Sequence, residues 1–223
     1  MRARPRVLRG VGRAWADLSA WTPDALRASH GTDLIEVTID RNRDPNYRET
    51  FVRKTRIMPM AELCEAMKTQ RTADLYVVAQ SHALERTGLG ALLARTMHVP
   101  AEIARTGPFT SSLWIGPAGS ETVFHHDVMD LIAVQLHGRK RWRTIAPTDR
   151  AWLDALAGSL HVPYTMRDPA TEGLTDVSIE EHVIEEGDAI VVPASTWHHV
   201  VAETASVTLS LTEIVDLDAL IGR

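Results

Sequence analysis

His125 and Asp127 stand two residues apart in Thr122-Val123-Phe124-His125-His126-Asp127, a stretch rich in strand-forming residues. Side chains alternate faces along a strand, so these two point one way and His126 the other. A second stretch, Trp197-His198-His199-Val200, supplies another imidazole. Two imidazoles and one carboxylate at one centre, with coordination positions left open, form the facial triad of non-haem Fe(II) oxygenases. The spacing nominates His125, Asp127 and His198 as iron ligands, with His199 turned away from the metal. The open positions are what such chemistry needs, because a cosubstrate and O2 must both reach the iron.

Lys140 is the next candidate. It lies in Gly138-Arg139-Lys140-Arg141-Trp142 at the start of a predicted strand. Alternation places Lys140 with Trp142 on the inward face, and Arg139 with Arg141 in solvent. An inward ammonium needs an anionic partner, since burying an unpaired charge is costly. A compact charge with rotatable donors suits a terminal carboxylate deep in a pocket.

These residues need a scaffold of short strands. From about residue 108 the chain has the texture of one: Ser112–Ile115, Glu121–His126, Leu131–Leu136, Arg141–Ile145, Ile179–Ile184, Ala189–Val192, His198–Ala202 and Ser206–Leu211. Gly116-Pro117-Ala118-Gly119, Gly138, Gly187-Asp188 and Pro193 mark the breaks, and Asp149–Leu156 reads as a helical insert. Many short strands with regular turn signals predict a sandwich or barrel.

The first half is mixed. Pro5–Gly10 reads as a short strand and turn. Thr22-Pro23-Asp24 starts a helix, with Thr as N-cap, Pro at the first position and an acid in the first turn, and Gly31 ends it. Leu34–Ile39 reads as a strand, and Pro59 opens a helix with Met60, Leu63, Cys64 and Met67 on one apolar face. Asp74–Val78 reads as a buried strand and Ala91–Thr96 as a short helix. The expectation is a single domain over residues 1–223, with an α/β lobe over 1–107 and a β-barrel core over 108–215.

Composition narrows the class. With 223 residues the chain can bury a sizeable core. A net charge of −5 argues against a surface that coats nucleic acid, His137–Arg141 being the one local basic run. The single cysteine, Cys64, excludes an internal disulfide and fits a reducing, cytoplasmic setting. No apolar stretch is long enough to span a bilayer, and none follows Arg2, Arg4, Arg6, Arg9 and Arg13, so neither a membrane nor a secretory signal is expected.

Together, Leu113-Trp114-Ile115-Gly116-Pro117, Thr122 to Asp127, Gly138 to Trp142, Gly187 to Pro193 and Trp197-His198-His199-Val200 resemble the JmjC-type, cupin-like hydroxylase family. That family includes the asparaginyl hydroxylase of the hypoxia response and a tRNA-modifying hydroxylase. Its pattern has Thr three residues before the first ligand and Lys fifteen after it, matched here by Thr122 and Lys140. The resemblance implies a mainly β fold, a double-stranded β-helix (cupin or jelly-roll) barrel with a mixed α/β N-terminal lobe. It implies that His125, Asp127 and His198 bind Fe(II), and that Lys140 and Thr122 hold the distal carboxylate of 2-oxoglutarate. Tyr76 would place its hydroxyl near that carboxylate. Two positions depart from the family: Leu131 and Ser210 stand where relatives often carry Asn.

The implied reaction is hydroxylation of a carbon, coupled to conversion of 2-oxoglutarate and O2 to succinate and CO2, with Trp114, Phe124, Ile132 and Trp142 as a wall that keeps the site dry. The first expected substrate is a peptide or protein side chain. A small metabolite or nucleoside, or a metal-binding cupin without oxygenase activity, is the alternative. The residues from Thr212 to Arg223 are expected to be too few for a dimerising helix pair, leaving a monomer or a dimer through the N-terminal lobe.

Overall fold

A computed structural model describes residues 4–40, 53–72, 74–157, 165 and 167–221. Strands β1 (Arg6–Leu8), β2 (Leu34–Ile39), β3 (Lys54–Pro59) and β4 (Leu75–Tyr76) belong to the first half. The second half carries β5 (Ser111–Gly116), β6 (Glu121–His125), β7 (Leu131–His137), β8 (Lys140–Ile145), β9 (Ile179–Ile184), β10 (Ala189–Val192), β11 (Trp197–Ala202) and β12 (Ser206–Leu211).

Except for the directly paired β8 and β9, successive strands of the second half fall in opposite sheets. One sheet runs β1-β10-β7-β12-β5 and the other β6-β11-β8-β9. This is the jelly-roll arrangement of a cupin, and all its strand pairs are antiparallel. The lobe is not a separate layer throughout, because β1 extends the larger barrel sheet by pairing with β10. Asp188 fastens that junction: its carboxylate accepts from the backbone N–H of Gly10 and Glu185 and from Arg9.

Three apolar clusters separate the faces. Leu131, Ala133, Trp142, Ile190, Val192 and Val200 meet inside the barrel. Ile132, Val134, Leu136, Val207 and Leu209 point out of the larger sheet into the lobe, against Trp15, Trp21, Leu63 and Met67. Phe124, Ile145 and Trp197 point out of the smaller sheet onto Trp152, which the short helix Arg150–Ala155 carries. Because β7 is covered on both sides, it is apolar on both faces from Leu131 to Val134 instead of alternating, and the buried Gln135 that follows is hydrogen-bonded to Thr208 and to the His137 carbonyl.

This layering corrects two expectations. Phe124 and Ile132 are buried, but on the outer faces of the two sheets, and they form no part of the pocket wall. Their burial comes from the covering helix and lobe, which strand alternation does not reveal. The run Asp74–Val78 also shortens: only Leu75 and Tyr76 pair with β2, and Val77 makes an isolated bridge to Ile115 of β5. That bridge seats Tyr76 over the open edge of the barrel. The strand β3 was not foreseen. Mostly exposed, it lacks an apolar period and is held by its pairing with β2.

In the lobe, the helix Pro23–His30 is capped as its sequence indicates, Thr22 Oγ1 accepting from the N–H of Ala25. The helix Met60–Thr69 buries Met60, Leu63, Cys64 and Met67 on one face. Cys64 is sealed in, and burial pushes its thiol up to about 11, so it is an inert core residue. No helix among the described residues is long and apolar enough to cross a membrane.

Candidate metal centre and its pocket

His125 ends β6, Asp127 follows in the loop, and His198 lies on β11 directly opposite His125. One donor atom from each of the three lies within 4.8 Å of the others. The two imidazole rings are 4.1 Å apart between centroids, and His198 Nε2 is 3.8 Å from an Asp127 carboxylate oxygen.

Both rings are oriented by the backbone. His125 Nδ1 lies 2.8 Å from the carbonyl of Val123, and His198 Nδ1 lies 3.0 Å from that of Thr196. A carbonyl only accepts, so each Nδ1 carries the proton and each Nε2 keeps its lone pair for a metal. Burial pushes the His198 imidazole down to about 4, the Thr196 carbonyl partly opposing it, so the ring is neutral at ordinary pH. Trp142 stacks on His198 at 5.6 Å and further limits its motion. Two imidazoles and a carboxylate suit a divalent metal of the Fe(II) type, so the residues present fit the ion that the triad implies.

A pocket leads from this centre into the barrel. Lys140 lies at its inner end, 2% exposed, and its ammonium donates to the hydroxyl of Tyr76 at 3.1 Å. Among the described residues no carboxylate lies within ion-pairing distance of it. Arg141 points to solvent and pairs with Glu203, as alternation requires. Thr122, Ser210, Leu131, Trp114 and Trp142 also line the pocket, so the structure brings the nominated metal-binding and cosubstrate-binding residues together around one cavity.

Thr122 shares this cavity with His125 although the two are an odd number of residues apart. The register explains it. His198 pairs with His125 and Val200 with Thr122, so two steps along β11 match three along β6. The extra residue is a β-bulge, which re-aims one side chain without breaking the sheet. Alternation alone would have put Thr122 on the outer face.

His126 turns away from the pocket and meets Trp197 edge-on at 4.7 Å. His199 also faces outward. Its Nδ1 accepts from Arg143 at 3.1 Å, so Nε2 carries the proton and donates to Glu121 at 2.7 Å. Arg143 in turn grips Asp168 with both arms of its guanidinium, at 2.9 and 2.6 Å. Sequence reasoning overlooked this chain of charges behind the ligand strand, and only the odd run of polar residues on β8 hinted at it. Asp130, next to the pocket, is engaged elsewhere and accepts from the N–H of Ala194.

A family model described as a cupin-like domain matches residues 1–212. The chain is 30% identical over 103 residues to a Jumonji C domain-containing protein 5 of Drosophila melanogaster, covering 44% of this chain and 26% of that protein. It is 28% identical over 123 residues to a tRNA wybutosine-synthesizing protein 5 of Gallus gallus, covering 54% and 38%. Over 218 residues it is 22% identical to a lysine-specific demethylase 8 of Xenopus tropicalis, covering 93% and 47%. The chain thus spans less than half the length of each of these relatives.

Proposed function

Because the chain belongs to the cupin-like domain family, we propose that it is an Fe(II)- and 2-oxoglutarate-dependent oxygenase that hydroxylates a carbon of a peptide or protein side chain. The observation that carries this reading is Lys140. It is a buried ammonium with no carboxylate partner among the described residues, and it faces the same cavity as a two-histidine, one-carboxylate cluster. Such a charge is costly to bury unless an anion meets it, and the cavity is where an anion can enter.

His125, Asp127 and His198 hold the iron. Lys140 binds the distal carboxylate of 2-oxoglutarate, with the hydroxyls of Thr122, Tyr76 and Ser210 around it. When bound, iron, 2-oxoglutarate and O2 supply an oxidant that converts C–H to C–OH, releasing succinate and CO2. The protein's own part is to orient and to shield. The Val123 and Thr196 carbonyls aim the imidazoles, Trp142 braces His198, and Trp114, Leu131 and Val200 keep water from the reacting side.

The test is conversion of 2-oxoglutarate to succinate by the purified chain with Fe(II), ascorbate and O2, followed by proton NMR. Succinate should form only when iron is present. If there is no conversion, and anaerobic titration shows no 2-oxoglutarate binding, the reading is wrong.

A further inference from the structure

The pocket has a direction. Exposure rises from Lys140 and Tyr76 at the closed end, through the Asp127 side chain at 40%, to Met129 at 47% and Val128 at 81%. Val128 and Met129 directly follow a triad residue and form the outer lip. They are among the few large apolar side chains that the described residues expose. Exposed apolar groups at a cavity mouth mark a place where something apolar is received.

The lip is held in place. The carbonyl of Asp127 accepts from the N–H of Ser195 at 2.7 Å, and the Asp130 carboxylate accepts from the N–H of Ala194 at 2.8 Å. Both ends of the Val128-Met129 turn are therefore tied to the Pro193–Thr196 loop, which itself runs into His198. The part of the lining that β5 and β12 supply is uncharged: Ser112 and Ser210 pair across these strands, and Thr212 lies close by in sequence. Apart from the triad and Lys140, no charged side chain lines the pocket among the described residues. The one cation is at the closed end, and the one carboxylate belongs to the triad.

We infer that the residue this pocket accepts from a peptide is apolar, a leucine-like or phenylalanine-like side chain that packs on Val128 and Met129. The hydroxyls of Ser112 and Thr212, on the uncharged part of the lining, serve the neighbouring peptide groups. The inference rests on the proposed oxygenase reading for what happens to that side chain, and on the lip alone for its recognition. A lysine, arginine or glutamate side chain would lose its hydration at the mouth, where the nearest carboxylate outside the triad, Asp130, is engaged by the N–H of Ala194 and the one cation, Lys140, lies at the closed end.

The experiment titrates the full chain with capped glycine pentapeptides carrying a central leucine, phenylalanine, lysine, arginine or glutamate. Tryptophan fluorescence is the signal, since Trp114 and Trp142 line the pocket. Leucine or phenylalanine should bind about tenfold or more tighter than the charged members. Met129→Glu and Val128→Asp should each remove that preference and shift it toward lysine and arginine. Equal affinity across the series, tighter binding of a charged member, or an unchanged preference in both variants would overturn the inference. The same peptides are then added to the succinate assay. Rim-dependent binding of the leucine peptide without any succinate would leave the lip intact as a recognition site and remove the oxygenase reading instead.

Discussion

The ammonium of Lys140, on the first residue of β8, donates to the hydroxyl of Tyr76, on the last residue of β4, at 3.1 Å, and stands 5.4 Å from the centre of that ring. One residue comes from the barrel and the other from the lobe, so the closed end of the pocket exists only when the two are assembled.

Lys140→Met should therefore weaken 2-oxoglutarate binding and leave Fe(II) binding nearly unchanged. A charge-assisted contact contributes about 1.5–3 kcal/mol, which is about ten- to hundredfold in affinity. Paired titrations of metal and then cosubstrate decide the matter. A variant that binds 2-oxoglutarate as tightly as the parent would remove Lys140 from the anion site.

His198→Ala and Asp127→Ala should abolish 2-oxoglutarate turnover, because two remaining ligands hold a metal poorly in an open site. His199→Ala should keep measurable turnover, since His199 faces Arg143 and Glu121 on the outer side of the sheet. Rates of succinate formation measured side by side should show this split. Equal loss in all three would mean that the two adjacent histidines are not functionally distinct.

Asp188 makes the junction of β1 and β10 sensitive to acid. Burial opposes its charge, but the N–H groups of Glu185 and Gly10 and the guanidinium of Arg9 together outweigh it and hold the carboxyl below its usual value. A depressed folded-state value means stability that is present above the unfolded value of about 3.9 and lost as pH falls through the folded one. Asp188→Asn should cost about 1.5–3 kcal/mol at neutral pH. The difference in Tm between parent and variant should shrink as pH drops below about 4. A gap that stays constant down to pH 3 would show that the carboxylate's charge does not matter there.

Gly138 turns the chain directly into β8 with φ +76°, and a Cβ there would overlap the carbonyl oxygen of Ala205. Gly138→Ala should cost at least the roughly 1–3 kcal/mol of a left-handed non-glycine residue. It should also weaken 2-oxoglutarate binding, because Lys140 is two residues on. Thermal melts with cosubstrate titration check both effects.

The amino-acid sequence by itself determined much of this protein. The period-two pattern, the turn residues and the His-x-Asp spacing are local properties of an extended chain, and local stereochemistry ties each to one outcome. The inward face shared by Lys140 and Trp142, the outward turn of His126 and His199, and the Thr22 cap all follow from such short-range rules. What only the tertiary structure decided are the features set by contacts between distant segments. Thr122 reaches the cavity through a bulge whose extra residue is defined by the register of β6 on β11. Phe124 and Ile132 are buried although they face away from the pocket, because a helix and a lobe cover the outer faces of the sheets. Tyr76 meets Lys140 because the isolated bridge from Val77 to Ile115 lays the lobe against the barrel edge. Register, covering layers and docking are long-range choices, and the alternation of side chains along one strand carries no record of them.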